Sequence, residues 1–398
     1  MRTIQHYRLF ACLLCMYFFL TAVDAQWSRL NSGTSLWLRG VDFITPMDGL
    51  VVGYDGTILL TQDGGDNWIL RSSGTNLDLL SVFYADAQTV YCTGALGLVL
   101  KSVDGGFTWS TVKEGGAVTH ECFFLTPDLG YIAGEGGQVF KTINGGQTWV
   151  RLPVGIAGKV ALHFIDEEIG FFVGLGSEDA IIKTTNGGLD FVSLNPFGFE
   201  EYGSVYFTTS SVGYVLGIGS QRIIKTLDGG ATWRDVIQNA GAKLYDITFA
   251  SEKFGQVVGG FPNSSIILRT EDAGENWLQE NSGVSDPLFD CEMISDEYGF
   301  AVGMNGTILR RGEVPTSISG FADNVLQIYP NPASDHIYLN VDLPGDVEFR
   351  IYDLHGVEIN MGTFKRKLTL SISTLETGFY FIKFENEKST SVLRFEKI

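Results

Sequence analysis

Thr142-Ile143-Asn144-Gly145-Gly146-Gln147-Thr148-Trp149 is one of six copies of a short pattern that decides the fold of this chain. Each copy has Ser or Thr first, Asp or Asn third, Gly fifth, and Trp or Phe last. The other copies begin at Thr61, Ser102, Thr184, Thr226 and Thr270, so the pattern recurs every 40 to 44 residues. A fixed period of this length is the signature of a repeat architecture.

A second series of glycines runs ahead of this pattern and has seven members. They are Gly53, Gly94, Gly134, Gly174, Gly217, Gly259 and Gly303. Apolar residues stand ten and twelve positions before each of these marker glycines, as Phe124 and Cys122 do before Gly134. Two apolar columns spaced by two residues form the buried face of a β-strand. Each unit therefore predicts four short strands, and four-stranded units of this length are the blades of a β-propeller.

The last unit lacks its final strand, and the start of the chain supplies one. After Gly303, residues 306–311 match residues 56–61, but no further turn pattern follows. Residues 27–34 match residues 68–75 without a gap. We therefore predict an all-β, seven-bladed propeller over residues 26–311, closed by an N-terminal strand at 27–32. Such closure removes the exposed sheet edges that favour aggregation.

The third position of the repeated pattern has a structural explanation. An Asp or Asn side chain there can accept hydrogen bonds from backbone amides two or three residues later, while the glycines supply positive φ. A calcium site would need several convergent oxygen ligands, and each turn offers at most one carboxylate. We therefore predict no metal and no cofactor, and six structural turn residues: Asp63, Asp104, Asn144, Asn186, Asp228 and Asp272.

Three cysteines lie beyond the N-terminal segment, at Cys92, Cys122 and Cys291. All three occupy columns that hold small apolar residues in other blades, so we predict buried thiols. A disulfide remains the alternative, because the chain carries the marks of export to an oxidising compartment.

The marker glycine series followed by Asp-Gly-Gly-x-Thr-Trp resembles two related repeat families. One is the Asp-box, or bacterial neuraminidase, repeat. The closer is the seven-bladed propeller family typified by the photosystem II stability and assembly factor, and the resemblance covers residues 27–311. It implies the fold and not the function, because the shared residues are turn and packing residues. Nothing in the sequence indicates a photosynthetic role.

The charged residues of the first strands decide whether the sequence supports an enzymatic function. The three convergent arginines of a sialidase are not indicated, and the acidic charge opposes an anionic substrate. Glycoside hydrolysis needs two carboxyl groups about 5–10 Å apart. Asp42 and Glu292 share one column, and Glu121, Asp246 and Asp290 share another. We interpret them as solvated charges lining a channel, and His163 as a core histidine with satisfied hydrogen bonds.

The most distinctive loop lies between the fourth and fifth blades, at residues 194–202. It carries exposed aromatic and acidic side chains of the kind that stack on a sugar or grip a peptide. We predict a ligand site there, at Phe197, Phe199, Glu200, Glu201 and Tyr202. The alternative is that Phe197 and Phe199 fold back as a local plug.

The N-terminal residues 1–25 have the basic start, apolar run and small-residue end of a secretory signal peptide. No later stretch is long and apolar enough to span a bilayer, so no transmembrane segment is expected after cleavage. The formal net charge of −19 repels phosphate, which excludes nucleic acid as a partner.

The composition changes at Gly312. Residues 312–324 predict a linker, and residues 325–398 predict a small immunoglobulin-like β-sandwich from their alternating apolar positions. Three segments resemble the type IX secretion C-terminal sorting domain, namely residues 329–335, 352–356 and 375–380. The resemblance implies secretion or attachment at the outer-membrane surface, with the type IX machinery as a partner of residues 325–398. Together these features favour a non-catalytic binding protein with a protein or glycan ligand. The alternative is a glycoside hydrolase or lyase that uses carboxylates at the propeller mouth.

Overall fold

The computed structural model describes most of the chain beyond the N-terminal segment. The described residues are 27–176, 180–194, 200–314, 326–329, 334–341, 347–352, 358–365, 367–375, 378–385 and 390–397. The predicted signal peptide and most of the predicted linker lie outside them.

Seven four-stranded antiparallel units follow one another along residues 27–311. Strand β1 spans Trp27–Leu30 and belongs to the last unit. The first three units are β2 (Leu38–Phe43), β3 (Gly49–Gly53), β4 (Ile58–Thr61), β5 (Ile69–Arg71); β6 (Leu79–Tyr84), β7 (Val90–Gly94), β8 (Val99–Ser102), β9 (Ser110–Lys113); and β10 (Thr119–Phe124), β11 (Gly130–Gly134), β12 (Val139–Thr142), β13 (Val150–Arg151). The others are β14 (Ala157–Phe164), β15 (Ile169–Gly176), β16 (Ile181–Thr185), β17 (Val192–Ser193); β18 (Glu200–Phe207), β19 (Gly213–Gly217), β20 (Arg222–Thr226), β21 (Arg234–Ile237); β22 (Leu244–Phe249), β23 (Gly255–Phe261), β24 (Ser264–Thr270), β25 (Leu278–Glu280); and β26 (Leu288–Ser295), β27 (Tyr298–Gly303), β28 (Ile308–Arg311). Short 3₁₀ turns occupy Ala95–Gly97, Glu135–Gly137 and Met304–Gly306.

Strand β1 completes the seventh blade, as the sequence predicts. It pairs antiparallel with β28, in register from Trp27 opposite Arg311 to Leu30 opposite Ile308. The Trp27 indole is buried, and its Nε1 donates a hydrogen bond of 2.9 Å to Oε2 of Glu280 in the sixth blade. The first strand of the chain therefore joins the last blade and contacts the one before it.

Neighbouring blades are joined by stacked aromatic rings. In five blades the residue ten positions before the marker glycine stacks on an aromatic residue of the preceding blade, as Phe124 does on Tyr91 with ring centroids 3.6 Å apart. The tryptophan of the repeated pattern then meets that same ring edge-on, as Trp149 does Phe124 at 6.4 Å. Edge-to-face and offset-stacked pairs at these separations are favourable. The repeated aromatics therefore pack blades together.

The marker glycine is required by a close approach of two backbones. A Cβ built on Gly94 would lie 2.1 Å from the carbonyl oxygen of Asp78, just before the first strand of the same blade. That same carbonyl accepts a hydrogen bond from the N–H of Ala95. A Cβ at the equivalent position would meet an equivalent carbonyl oxygen in four further blades, at Gly53, Gly134, Gly259 and Gly303.

The Asp or Asn of each turn pattern accepts hydrogen bonds from its own turn. In the second blade, Oδ1 of Asp104 accepts from the backbone N–H of Thr108, and Oδ2 accepts from the Thr108 hydroxyl. The Ser102 hydroxyl also donates to Asp104, at 2.7 Å. The predicted contact with the amide three residues later is present, from Phe107 to Asp104 and from Leu189 to Asn186, and the amide four residues later adds a second contact. The carboxylate closes a wider loop than an Asx-turn.

We expect replacement of Asp104 by Ala to lower the free energy of unfolding by about 1–2 kcal/mol, because the Thr108 amide loses its acceptor. Asp104→Asn is the matched control, since Asn144 and Asn186 make the same backbone contact in their blades. Urea denaturation followed by tryptophan fluorescence measures both. An equal loss for the two variants would show that charge, and not the hydrogen-bond acceptor, stabilises the turn.

The C-terminal segment forms two antiparallel sheets around one core. Strands β29 (Leu326–Tyr329), β30 (His336–Val341) and β33 (Lys367–Ser371) form one sheet, and β31 (Val347–Tyr352), β32 (Glu358–Phe364), β34 (Gly378–Glu385) and β35 (Thr390–Lys397) form the other. Buried residues of both sheets meet, among them Leu339, Phe349, Ile382 and Phe395. The all-β class is confirmed for both parts of the chain. Among the described residues, no helix is long and apolar enough to cross a membrane.

The three cysteines are free and buried, as predicted. Cys291 donates its thiol to Oδ2 of Asp246 at 3.5 Å, and Cys122 lies 3.6 Å from the Ser81 hydroxyl.

Candidate functional site

A cavity of about 360 Å³ lies where the first strands of the seven blades converge. We call it the channel. Its walls carry five carboxyl groups and two basic side chains together with a run of aromatic rings. The carboxyl groups are those of Asp42, Glu121, Asp246, Asp290 and Glu292, and the basic residues are Arg39 and Lys159. The sequence columns that predicted a charged channel are therefore brought together.

Four of these carboxyl groups accept hydrogen bonds from the backbone of the next blade. Oδ2 of Asp290 accepts the backbone N–H of Val41 at 2.8 Å, and Oδ2 of Asp42 accepts that of Tyr84 at 2.5 Å. In the same way, Asp246 accepts from the N–H of its neighbour Cys291 at 3.3 Å. Glu121 accepts from the backbone of the fourth blade, at residue 162. These contacts give the carboxylates a structural role that glycoside hydrolysis does not require.

Burial raises the pKa values of the channel carboxyls. Desolvation raises the pKa of Asp42 to about 7 and that of Glu121 to about 8. Burial, reinforced by neighbouring carboxyls, also raises the pKa values of Asp290 and Glu292 well above their usual range. Burial lowers the pKa of Lys159, whose ammonium interacts with Glu121. The channel therefore takes up protons at neutral pH.

Asp246 and Asp290 lie in hydrogen-bond contact with each other. The nearby Asp246 carboxyl adds to burial in raising the pKa of Asp290, because like charges disfavour ionisation at such a separation. Glycosidases place their two carboxyls about 5–10 Å apart, with the sugar between them. This pair therefore lacks the spacing that a glycosidase needs.

Aromatic rings cover the opposite part of the channel wall. Phe83, Phe123, His163 and Tyr206 come from four successive blades, with adjacent centroids 5.1, 5.3 and 4.7 Å apart. The prediction of a satisfied core histidine is wrong for His163. Its Nδ1 is shielded from solvent and has no hydrogen-bond partner among the described residues. Contacts with Phe123 and Tyr206 hold the imidazole ring in place, and its Nδ1 has no hydrogen-bond partner among the described residues.

One end of the channel opens between the turns that join second and third strands, on the face opposite the repeated Asp turns. There the Arg39 guanidinium lies 4.0 Å from the centroid of the Phe289 ring, and Tyr245 meets the same ring at 5.6 Å. Trp37 extends the group outward, at 5.7 Å from Phe289 and 5.2 Å from Tyr54. We call these five residues the mouth shelf. All but Phe289 are partly exposed.

The loop predicted as the ligand site is placed only in part. Phe197 and Phe199 lie outside the described residues, so their role stays a prediction. Glu200 and Glu201 begin β18 and pair with the end of β15, at Gly176 and Leu175, which joins the fourth and fifth blades into one sheet.

Tyr202 differs from the prediction of an exposed loop residue. It is buried in the core between the fourth and fifth blades, and its hydroxyl has no hydrogen-bond partner among the described residues. The reason is that β18 begins at Glu200, two residues before Tyr202, so the ring faces the blade interface and not a loop surface.

Our prediction from sequence missed the mouth shelf. Arg39, Tyr245 and Phe289 all stand fourteen positions before a marker glycine, a column that varies from blade to blade. A register shift interrupts each first strand next to this position, as between Leu38 and Gly40. Such a bulge re-aims side chains. The variation of this position from blade to blade was the feature of the sequence that could have indicated the site.

Comparisons with known proteins agree with both parts of the fold. Residues 327–396 match the secretion system C-terminal sorting domain, and residues 20–118 match the photosynthesis system II assembly factor YCF48. The chain therefore combines a β-propeller, whose first part matches the YCF48 model, with a C-terminal sorting domain of the type IX secretion system. Both resemblances in the sequence are thereby confirmed. A search of curated proteins finds no match.

Solved structures resemble the propeller of this chain at low sequence identity. YCF48 bound to D1 peptide is 19% identical with a TM-score of 0.59, covering 72% of this chain and 97% of its own. YCF48 from Cyanidioschyzon merolae is 18% identical with a TM-score of 0.60, covering 72% and 99%. The GH74 enzyme of Niastella koreensis is 13% identical with a TM-score of 0.57, covering 79% and 59%. Likeness at these identities establishes the fold.

The described residues contain no group of three or more His, Cys, Asp or Glu side chains arranged to hold a metal ion.

Proposed function

We propose that this exported propeller is a non-catalytic binding protein that recognises a peptide segment of a partner at the mouth shelf. The observation that carries the proposal is the guanidinium of Arg39 stacked on Phe289, with Tyr245 and Trp37 beside it. Arginine, tyrosine and tryptophan are the residues that most often dominate binding energy in protein interfaces. The shelf borders a cavity of about 360 Å³, so a bound segment has a concave site to enter.

A relative of the same fold supports a peptide ligand, because one solved YCF48 structure holds a D1 peptide. The sorting domain supports a location outside the cell, either at the outer-membrane surface or in the medium, reached through the type IX machinery. We also propose a second contact region on the propeller. It consists of Glu200 and Glu201, where the fourth and fifth blades join, and of Phe197 and Phe199, which precede them in sequence.

The test uses the chain from residue 26 to 398 to select the peptides that bind to it from a random heptapeptide library. We expect enriched peptides, and we expect Arg39→Gln to weaken their binding at least tenfold in fluorescence anisotropy. The matched control is Arg71→Gln. Arg71 makes the same guanidinium–aromatic contact, 4.6 Å from the Phe107 ring, but on the outer strand of the first blade. Failure to enrich any peptide, or equal weakening by both variants, contradicts the proposal.

A glycoside hydrolase is the second candidate, favoured by the carboxyl-lined channel and by the GH74 likeness of the fold. Release of reducing ends from soluble polysaccharides by the wild-type chain, lost in Glu292→Gln, would establish it. The backbone contacts of four of the five channel carboxyls argue for binding instead.

A further inference from the structure

The deeper part of the channel holds more carboxyl groups than basic side chains. Five carboxyl groups and two basic side chains line the whole cavity, an excess of three negative charges when all are ionised. Arg39 stacks on Phe289 and interacts with Asp290. Lys159 interacts with Glu121, Asp246 and Asp290. Of the described residues, no basic side chain acts on Asp42 or Glu292, which instead repel each other from neighbouring blades.

Asp42 and Glu292 face an apolar, π-rich wall. They occupy the same position in their blades as Phe83, Phe123, His163 and Tyr206, so all six side chains lie at one level of the channel. The Tyr206 phenol is close enough to Glu292 to interact with it electrostatically. We call these six residues the amine pocket. Carboxylates provide charge and hydrogen-bond acceptors, while aromatic faces attract cations.

Two further observations point to a ligand rather than to a packed core. The pocket belongs to an open cavity, and the Nδ1 of His163 is shielded from solvent with no partner among the described residues. Neutral imidazole can accept a hydrogen bond at this nitrogen. Burial lowers the pKa of His163 to about 4, so the imidazole is neutral at physiological pH and adds no positive charge.

We propose that the amine pocket takes an organic ammonium group, the side chain of a lysine in the bound peptide. The inference rests on the proposed peptide function and names the residue that enters the channel. An alkyl chain fits along the aromatic wall, and its ammonium donates hydrogen bonds to the carboxylates of Asp42 and Glu292. The ammonium thereby supplies the positive charge that the protein itself lacks at this level.

The proposal predicts a pH dependence with a definite sign. The ammonium and the protons compete for the same two carboxylates, so affinity rises with pH as Asp42, with a pKa of about 7, and Glu292, whose pKa burial raises well above its usual range, lose their protons. An alkylammonium stays charged in this range. Besides Asp42 and Glu292, the titratable and charged groups that line the cavity are Arg39, Tyr84, His120, Glu121, Cys122, Lys159, His163, Tyr206, Tyr245, Asp246, Asp290 and Cys291. Of these, His120 and His163 both have pKa values lowered to about 4 and do not change charge above pH 6.

The test measures binding of butylammonium to the chain from residue 26 to 398 by calorimetry, with butanol and butyrate as probes of equal length. We expect butylammonium to bind at least tenfold more tightly than either, and its affinity to rise about tenfold from pH 6 to pH 8.5. Glu292→Gln should remove most of this preference while preserving side-chain shape. Asp42→Asn should do the same and still accept the Tyr84 amide. The control is Glu135→Gln, which changes an exposed carboxyl group in the turn that follows β11.

Equal binding of butylammonium and butanol, or unchanged affinity in both variants, overturns the amine pocket. The two proposals fail separately. If the selected peptides bind through Arg39 but lack lysine, or bind equally well with norleucine in its place, the mouth shelf stands and the amine pocket is wrong. If no peptide is selected but butylammonium binds in a manner dependent on Glu292, the pocket stands and the peptide ligand is wrong.

Discussion

Replacement of Trp27 by Ala is expected to lower the free energy of unfolding of the propeller by about 3–5 kcal/mol, the range for removing a buried Trp. Trp27 is only 4% exposed and contacts the cores of the sixth and seventh blades, including Ile267 and Leu309. The variant also loses the indole hydrogen bond to Glu280. Because β1 is held to β28 by only four residue pairs, we expect its detachment before the rest of the ring unfolds.

The measurement is urea denaturation followed by tryptophan fluorescence. All seven tryptophans lie between residues 27 and 277, so this signal reports on the propeller and not on the sorting domain. The control is Leu70→Ala on the outer strand of the first blade, where the side chain is 69% exposed and a change within about 0.5 kcal/mol is expected. A loss for Trp27→Ala no larger than that control would show that the N-terminal strand does not hold the ring closed.

Replacement of Gly94 by Ala is expected to lower the free energy of unfolding by about 3 kcal/mol, as overpacking against a fixed backbone does. The added Cβ would lie 2.1 Å from the carbonyl oxygen of Asp78. That oxygen cannot move away without breaking its hydrogen bond with the Ala95 amide. The change therefore displaces the start of the first strand, beside the channel.

Gly219→Ala is the matched control, since a Cβ there meets no atom within 4 Å and its backbone is not left-handed. We expect it to change stability by less than about 0.5 kcal/mol. Hydrogen exchange of the Ala95 amide provides a second measurement, because loss of its bond to Asp78 should increase exchange in Gly94→Ala alone. Unchanged exchange of the Ala95 amide and unchanged stability in Gly94→Ala would contradict the packing explanation of the marker glycines.

The repeated features of the fold were predictable because each blade carries the same residues for the same purpose. The marker glycines, the aromatic columns and the turn residues exemplified by Asp104 all recur at fixed spacing, and each serves contacts within a blade or between neighbours. The closing strand was predictable for the same reason, since Trp27 continues the column of Trp68. The additional contact with the amide four residues later was not predictable, because it depends on the φ values of the two residues that follow the Asp or Asn.

The candidate site could be predicted only as a set of charged columns. Asp42, Glu121 and Glu292 were assigned to the channel, but their hydrogen bonds to the following blade were not foreseen. Tyr202 was misplaced because its burial follows from where β18 begins. Arg39 and Phe289 were not predicted, because the variation of their column does not show that a bulge next to it redirects the side chains.

The sequence by itself determined the all-β class, the two families, the blade units and the strand that closes them. Those properties depend on local patterns that repeat every 40 to 44 residues. Only the tertiary structure decided which side chains meet in the channel. Arg39 and Phe289 are 250 positions apart in sequence, yet they stack at 4.0 Å because the ring brings the first blade beside the last. A binding site in a propeller is built from positions that differ between blades, so the repeat that reveals the fold does not reveal the site.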